Sequence, residues 1–402
     1  MARGTRYTGI QTTAIHAGEA PDPATKASAP PLHMSSTFVS EDIAGFSAHD
    51  LTPDSPYTYA RWANPNVASL EAKIAALQGT EACLGTASGM AAAAAIFFTF
   101  LSAGDHVIVS DVSYAGVAEL ARETLPRLGI AVSAVNMSNL EAVTAAVRPN
   151  TRLIHSESPA NPILRLTDLQ AVSRIAHAAG ALHSSDATFS SPIGMETQAL
   201  GIDLVMHSAT KYIGGHGDAV GGAVAGPADL IAKMRAEAAI HHGGILSPFN
   251  AWMIARGLST LPLRMKAHAS GAQAVAEWLE AHPRVTRVIY PGLASHPQYE
   301  LAQQQMKTNS AMISFQVGDA AQGRAVAQAM IDHMEVIHYA VSLGHHRSLV
   351  FWMETEGLME TSFRLEGAQA ASYRDFAGDG IFRLSVGLED AEDLIADLDR
   401  VL

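Results

Sequence analysis

The sequence predicts an α/β fold: a large domain around a mainly parallel sheet, followed by a smaller α+β domain. Three observations carry this expectation. Between residues 82 and 206 short apolar runs alternate with helical periodicity, the pattern of repeated strand–helix units over a buried parallel sheet. Beyond Leu261-Pro-Leu263 the alternation gives way to one long amphipathic helix and three separated strands. At 402 residues the chain also exceeds one typical domain.

Taken in order, residues 1–63 are rich in Pro, Ser, Thr and Asp and have little periodicity. They read as an extended amino-terminal arm that packs on something else, often a partner subunit. The large domain, 64–262, opens with a helix capped by Asn66, with Val67, Leu70, Ile74 and Leu77 on one face and Gly79 at its end. Strands are expected at Ala82–Thr86, His106–Ser110, Ile130–Val135, Arg152–His155, Ala181–Ser185 and Asp203–Met206. Helices are expected after Ser88, from Tyr114 to Leu128, near 138–147, near 167–178 and twice between 227 and 257. In the carboxyl-terminal domain, 263–402, strands at Arg284–Ile289, Met312–Val317 and Ile381–Leu388 precede a final helix from about Asp390.

Composition excludes several classes of function. A net charge of −13 with no basic run argues against a nucleic-acid or anionic-membrane partner. The longest apolar stretch, Gly89 to Leu101, falls short of the roughly 20 residues of a membrane span. A single cysteine, Cys83, excludes an internal disulfide framework, and Met1 to Tyr7 lack the apolar core of a signal peptide, so a cytoplasmic location is expected. Among the 18 histidines, His241-His242 and His345-His346 lack the i, i+4 spacing with a nearby Glu that makes a helical zinc site. No metal is expected.

The chemistry gathers at His207-Ser-Ala-Thr-Lys-Tyr-Ile-Gly-Gly-His-Gly-Asp218. This stretch follows the apolar run Asp203 to Met206, so Lys211 falls at the carboxyl edge of the sheet, where open α/β folds bind ligands. Partial desolvation there lowers an amine's pKa and makes it a nucleophile able to form a Schiff base. Ser208 and Thr210 are short hydroxyl donors suited to a phosphate, and Gly214, Gly215 and Gly217 let the backbone pass close to a ligand. A surface lysine in a glycine-rich turn is the plain alternative. Other sheet-edge residues weigh against it.

Ser88-Gly89-Met90 start a helix whose free amides and positive end suit a phosphate, or else form an ordinary N-cap. Asp186 ends a strand, where it can pair with a protonated ring nitrogen or merely close a turn. Asn161, kept out of a helix by Pro162, can bond a phenolate-like oxygen or sit in a plain proline turn. Tyr114, at a helix start, can lie over a flat cofactor or pack half-buried. Arg383 lies opposite the apolar face of Phe382-Arg-Leu-Ser-Val386, where a guanidinium can hold a carboxylate through two hydrogen bonds.

Seven motifs stand in order in a resemblance that runs from about residue 13 to the end. They are Tyr59-Ala-Arg61 with Asn64-Pro65, Ala87-Ser-Gly-Met90, Glu157-Ser-Pro-Ala-Asn-Pro162, Ser208-Ala-Thr-Lys211, Tyr290-Pro-Gly-Leu293, Val341-Ser-Leu-Gly344 and Arg383-Leu-Ser-Val-Gly-Leu-Glu-Asp390. As a set they resemble the pyridoxal-phosphate-dependent Cys/Met metabolism (trans-sulfuration) family, which includes methionine γ-lyases, cystathionine γ-synthases, cystathionine lyases and homoserine sulfhydrylases. The resemblance implies the fold-type I transferase-like architecture, with a seven-stranded-type sheet, and pyridoxal 5'-phosphate as cofactor. It implies that Lys211 carries the cofactor and shuttles protons, that Asp186 keeps the pyridine nitrogen protonated, and that Tyr114 stacks on the ring and assists proton transfer. Ser88, Gly89, Met90, Asn161, Thr188, Ser208 and Thr210 join the cofactor site, with Tyr59 and Arg61 supplied by a neighbouring subunit of a homotetramer built as a dimer of dimers. Ser342 and Arg383 are implied to bind the substrate carboxylate of an amino acid.

The departures from the family bear on the substrate. Gly116 stands where similar methionine γ-lyases carry a cysteine, and Ala239-Ile240-His241-His242 replaces an expected Lys-Asp pair. Val341 replaces the glutamate that cystathionine-processing relatives place before Ser-Leu-Gly, which favours γ-elimination over cystathionine synthesis. The histidine- and glutamate-rich segment from His345 to Glu360, within a divergent stretch that runs to Arg364, suggests a distal group more polar than a thiomethyl. The expected activity is therefore that of a γ-lyase on a γ-substituted amino acid, methionine or homocysteine first and a polar homoserine derivative such as canavanine close behind. A γ-replacement enzyme is the alternative, and a non-catalytic α/β binding protein a remote one.

Overall fold

The computed structural model describes residues 7–40, 55–361 and 364–402. The amino-terminal residues read for a signal peptide, part of the arm, and Ser362-Phe363 of the divergent segment lie outside the described residues. Twelve described strands follow in chain order: β1 (Ala82–Thr86), β2 (His106–Ser110), β3 (Ala131–Val135), β4 (Thr151–Glu157), β5 (Leu182–Asp186), β6 (Leu204–His207), β7 (Gly222–Gly226), β8 (Arg287–Ile289), β9 (Met312–Gln316), β10 (His338–Tyr339), β11 (Leu349–Glu354) and β12 (Gly380–Ser385). Four helices matter below: α1 (Ile10–His16), α2 (Pro65–Gln78), α3 (Gly89–Phe100) and α4 (Ala115–Glu119).

The chain divides into two compact units, Met1–Leu101 with Asp203–Pro262, and Ser102–Ile202 with Leu263–Leu402. The first unit holds β1-β7-β6 in that order, paired antiparallel. The second unit holds β5-β4-β2-β3, all parallel. It also holds a five-stranded sheet of order β10-β11-β12-β9-β8, antiparallel except for β10 with β11. The fold is thus α/β with a mostly parallel large sheet and a smaller second sheet, as the strand–helix alternation requires.

Several elements differ from the sequence expectation, each for a physical reason. Strand β7, Gly-Ala-Val-Ala-Gly, looks like loop because of its glycines; in the fold they permit close packing, since a Cβ on Gly222 would lie 2.2 Å from Ser88 O. The helix expected from Tyr114 to Leu128 is interrupted by a π-helical turn at Leu120–Thr124. Pro126, just beyond, has no N–H to continue the regular ladder. The cap of α2 is Asn64, whose side chain accepts from Asn66 N at 2.9 Å, with Pro65 in the first turn. Asn66 instead binds the arm, accepting from His33 N at 2.8 Å and donating to Pro31 O at 2.9 Å. Leu261-Pro262 begins a continuous helix, Leu261–Ala281, because proline in a first turn sacrifices no helical hydrogen bond.

The described part of the arm is not merely extended. It carries α1, and the Lys73 side chain, fully buried in α2, donates to Ile15 O at 3.0 Å and to Glu19 Oε1 at 2.5 Å. A buried ammonium needs such partners, so this cation pins the arm to its own unit.

Strands β4 and β5 carry an internal polar ladder. His155 Nδ1 meets Ser184 Oγ at 2.8 Å, and His183 meets Ser156 Oγ at 2.9 Å and Ser173 Oγ at 2.8 Å. Burial lowers the pKa of His155 to about 4 and that of His183 to about 3. The unfolded chain protonates these rings near pH 6.5. Their contribution to stability is therefore complete above that pH and drains away as the pH falls through 6.5 toward 4. Each should cost about 2 kcal/mol of unfolding free energy between pH 7.5 and 5. Urea unfolding at the two pH values measures this, and His155→Gln and His183→Gln should each flatten the difference. A pH dependence as steep as the wild type's in both variants would contradict it.

Candidate active site

In the first unit, Lys211 lies partly buried in a turn that follows β6 directly. The turn is held by Lys211 N donating to Ser208 O at 3.1 Å and by Gly215 N donating to Lys211 O at 2.8 Å. A Cβ on Gly257, in the helix Pro248–Leu258, would fall 2.0 Å from Gly214 O, so this helix and the lysine turn approach backbone to backbone. Thr210 Oγ1 donates to Gly221 O and accepts from Gly221 N, both at 3.1 Å, fastening the two sides of the loop. Ser88 caps α3, its Oγ accepting from Ala91 N at 3.1 Å. A Cβ on Gly89 would sit 2.8 Å from Ser208 Cβ, so Ser208 and the start of α3 are in contact. Gly89 and Met90 begin this helix, where amides point outward unbonded by the helix itself.

Tyr59 and Arg61 lie near each other in the same unit, with the guanidinium 5.4 Å from the Tyr59 ring centre. Arg61 also donates to Ile240 O of its own chain. At the Ala239 to His242 departure, Ala239 and Ile240 are buried and His241 meets Glu237 Oε2 at 3.1 Å.

In the second unit, Asp186 is the last residue of β5 and is buried. Its Oδ1 accepts from Thr188 N at 2.9 Å and from Thr188 Oγ1 at 2.5 Å. Burial pushes its carboxyl up while the Thr188 bonds pull it down. Tyr114 precedes α4 with its side chain half-exposed and its amide donating to Glu157 Oε2 at 2.8 Å. Asn161 accepts at Oδ1 from Arg383 Nη1 at 2.8 Å, which leaves its Nδ2 as a donor. Arg383, partly buried on β12, donates from Nη2 to Ser342 O at 3.2 Å. Ser342 holds a positive φ of 95°, a conformation rare outside glycine, and its Oγ meets His345 Nε2 at 3.3 Å. Tyr114, Asn161, Ser342 and Arg383 thus form one linked network within this unit.

Sequence reasoning missed Glu157 as a member of that network. The signal was present: it heads the Glu157-Ser-Pro-Ala-Asn-Pro162 motif, and a carboxylate at a strand's carboxyl end beside Asp186 is costly. The glutamates of the divergent segment, by contrast, are engaged elsewhere. Glu354 pairs with Arg324 at 2.5 Å and Glu356 pairs with Arg374. His345, at the start of the segment, meets Ser342 of the network. Among the described residues no three His, Cys, Asp or Glu side chains gather as a metal-binding cluster, and no helix is long and apolar enough to cross a membrane.

Similarity to known proteins extends over nearly the whole chain. The chain is 44% identical over 397 residues to canavanine γ-lyase of Pseudomonas canavaninivorans, covering 97% of this chain and 95% of that one. It is 38% identical over 399 residues to L-methionine γ-lyase of Fusobacterium nucleatum subsp. nucleatum, covering 99% and 98%. The crystal structure of cystathionine γ-lyase from Lactobacillus plantarum, complexed with L-serine, superposes with a TM-score of 0.87 at 36% identity, covering 98% of each chain. With the family pattern matched across residues 11–402, the chain belongs to the Cys/Met metabolism PLP-dependent enzymes.

Proposed function

We propose that this enzyme is a γ-lyase of γ-substituted L-amino acids, with a polar homoserine derivative of the canavanine type as its preferred substrate. His345, 3.3 Å from Ser342 in the Arg383 network, carries that choice: it adds a polar side chain beside the expected carboxylate site. Gly116 in place of a cysteine supports it, as does the similarity to a canavanine γ-lyase. Methionine and homocysteine, first in the sequence expectation, become the second reading. Val341, exposed and without charge, favours elimination over cystathionine synthesis.

The residues present fit the cofactor. The start of α3 and the adjoining Ser208 offer amides and a hydroxyl to a phosphate, and Asp186 keeps Oδ2 for a ring nitrogen because both Thr188 bonds fall on Oδ1. When bound, pyridoxal phosphate supplies an aldehyde that condenses with amines and a ring that withdraws electrons. Lys211 would hold the aldehyde carbon and serve as the mobile base for the protons at Cα and then Cβ. Tyr114 would stack on the ring, and its hydroxyl would protonate the group leaving Cγ. Asn161 Nδ2 would donate to the phenolate-like oxygen, and Gly89, Met90 and Ser208 would hold the phosphate beside the Ser88 cap; Thr210, whose hydroxyl donates to Gly221 O, would have to turn from that bond to join them. Arg383 and Ser342 orient the substrate carboxylate.

The test is a panel of canavanine, methionine, homocysteine, cystathionine and O-acyl-homoserines, each with and without thiol, read by 2-oxobutanoate and homoserine formation. Turnover of canavanine without thiol is expected to exceed that of methionine. Thiol-dependent replacement with negligible lyase turnover on every substrate would refute the γ-lyase in favour of a synthase or sulfhydrylase.

The assembly proposed is a cytoplasmic homotetramer, built of dimers in which Tyr59 and Arg61 complete the neighbour's phosphate site. Ile10, Ile15, Met34 and Val39 support it, for the described arm exposes these apolar side chains, Val39 at 96%. Inactive Arg61→Ala and Lys211→Ala protomers, mixed and reassembled, should recover activity. Proven subunit exchange without recovery would count against a shared site.

A further inference from the structure

Glu157 ends β4 directly opposite Asp186 on β5 and is only 5% exposed. Its Oε2 accepts from the Tyr114 amide at 2.8 Å and its Oε1 from the Asn161 amide at 2.7 Å. Asn161 Oδ1 then accepts from Arg383 Nη1 at 2.8 Å. One carboxyl therefore joins the start of α4, the turn after β4 and, one bond further, strand β12. We infer that Glu157 is a positioning residue: it fixes Tyr114 and, through Asn161, the Arg383 guanidinium in the relative placement that an amino-acid substrate requires. The inference rests on the roles proposed above for Tyr114 and Arg383.

Two converging amide donors need an acceptor at each end, and a carboxyl supplies one on each oxygen. A glutamine would set its NH2 against one of the two amides. Burial, and next the charge of Asp186, push this group well above the usual carboxylate range, while the bonds from Tyr114 and Asn161 pull the other way. The penalty makes sense if the site gains accuracy from both ends of one rigid, planar group.

The experiment uses Glu157→Gln in the cofactor-loaded protein, with L-norleucine, which has no leaving group at Cγ, as the binding probe. Norleucine affinity, read by absorbance titration, should fall roughly tenfold, about the effect of losing one charge-assisted hydrogen bond. The visible circular dichroism of the bound cofactor should change as Tyr114 shifts, and kcat should fall by a similar factor. Affinity, dichroism and kcat per folded protein within twofold of wild type, whatever the melting temperature, would overturn the inference. Arg383→Lys, measured alongside, must weaken norleucine; wild-type binding there sinks the carboxylate role itself and the inference with it. If Glu157→Gln does not fold, Asn161→Ala serves: it keeps the backbone amide that Glu157 binds and removes both the link to Arg383 and the proposed donor to the cofactor, and Asn161→Asp, which keeps an acceptor for Arg383 but not that donor, separates the two. The same fall in norleucine affinity supports the chain of contacts, and an unchanged affinity breaks it.

Discussion

Lys211→Ala should abolish the visible absorbance that the wild-type protein develops with pyridoxal phosphate and lower turnover by about four orders of magnitude. The loss is chemical and not structural. The turn around Lys211 is held by its backbone, through Lys211 N to Ser208 O and Gly215 N to Lys211 O, and by the Gly214–Gly257 approach, all of which an alanine keeps. Removing the amine deprives the site of both its covalent anchor for the aldehyde and its mobile base. Melting temperature within a few degrees of wild type, with no absorbance and no product, is the expected pattern. A variant that still turns over substrate at a wild-type rate would remove the lysine from the mechanism, and a wild type that stays colourless with added cofactor would remove the enzyme assignment.

Much of this was legible in the sequence because the chemistry sits where strands end. Lys211 follows β6, Asp186 closes β5 and Asn161 follows β4; the apolar run Leu204-Val-Met206 marks β6, whereas β5, Leu-His-Ser-Ser-Asp, is legible through the strand–helix alternation around it. The strands β2 to β6 were legible for the same reason. What escaped was set by contacts remote in sequence. β7 is strand by virtue of packing against Ser88 and pairing with β1, neither of which Gly-Ala-Val-Ala-Gly announces. Asn66 looks like a cap, yet its amide is drawn to His33 and Pro31 of the arm, more than 30 residues away. The divergent segment misleads in the opposite direction: Glu354 and Glu356 suggest a polar pocket, but Arg324 and Arg374 neutralise them at the surface. Glu157 was visible as a letter in a motif, while its partners, the amides of Tyr114 and Asn161, belong to the backbone and leave no mark in composition.

Asp186→Asn should lower kcat by about two to three orders of magnitude at saturating cofactor, the scale of losing one electrostatic contact to developing charge. Asparagine is close to isosteric here, and its Oδ1 can still accept both Thr188 bonds, so the turn at the end of β5 survives. What changes is the second position, where an acceptor becomes a donor and a formal charge disappears. A buried carboxylate, its pKa raised by desolvation, is stabilised by a cation, and a protonated ring nitrogen is such a cation. In the proposed site that pairing would keep the nitrogen protonated while Lys211 acts as the base at Cα. The neutral amide cannot hold that proton, so electrons released at Cα lose their acceptor and each proton abstraction slows. Asp186→Glu retains the charge but must displace it by one methylene in a close-packed strand end, so it should recover only part of the rate. The two variants separate charge from shape: Asp186→Asn at a wild-type kcat would show that the carboxylate serves packing alone, and equal losses in both would assign the effect to geometry.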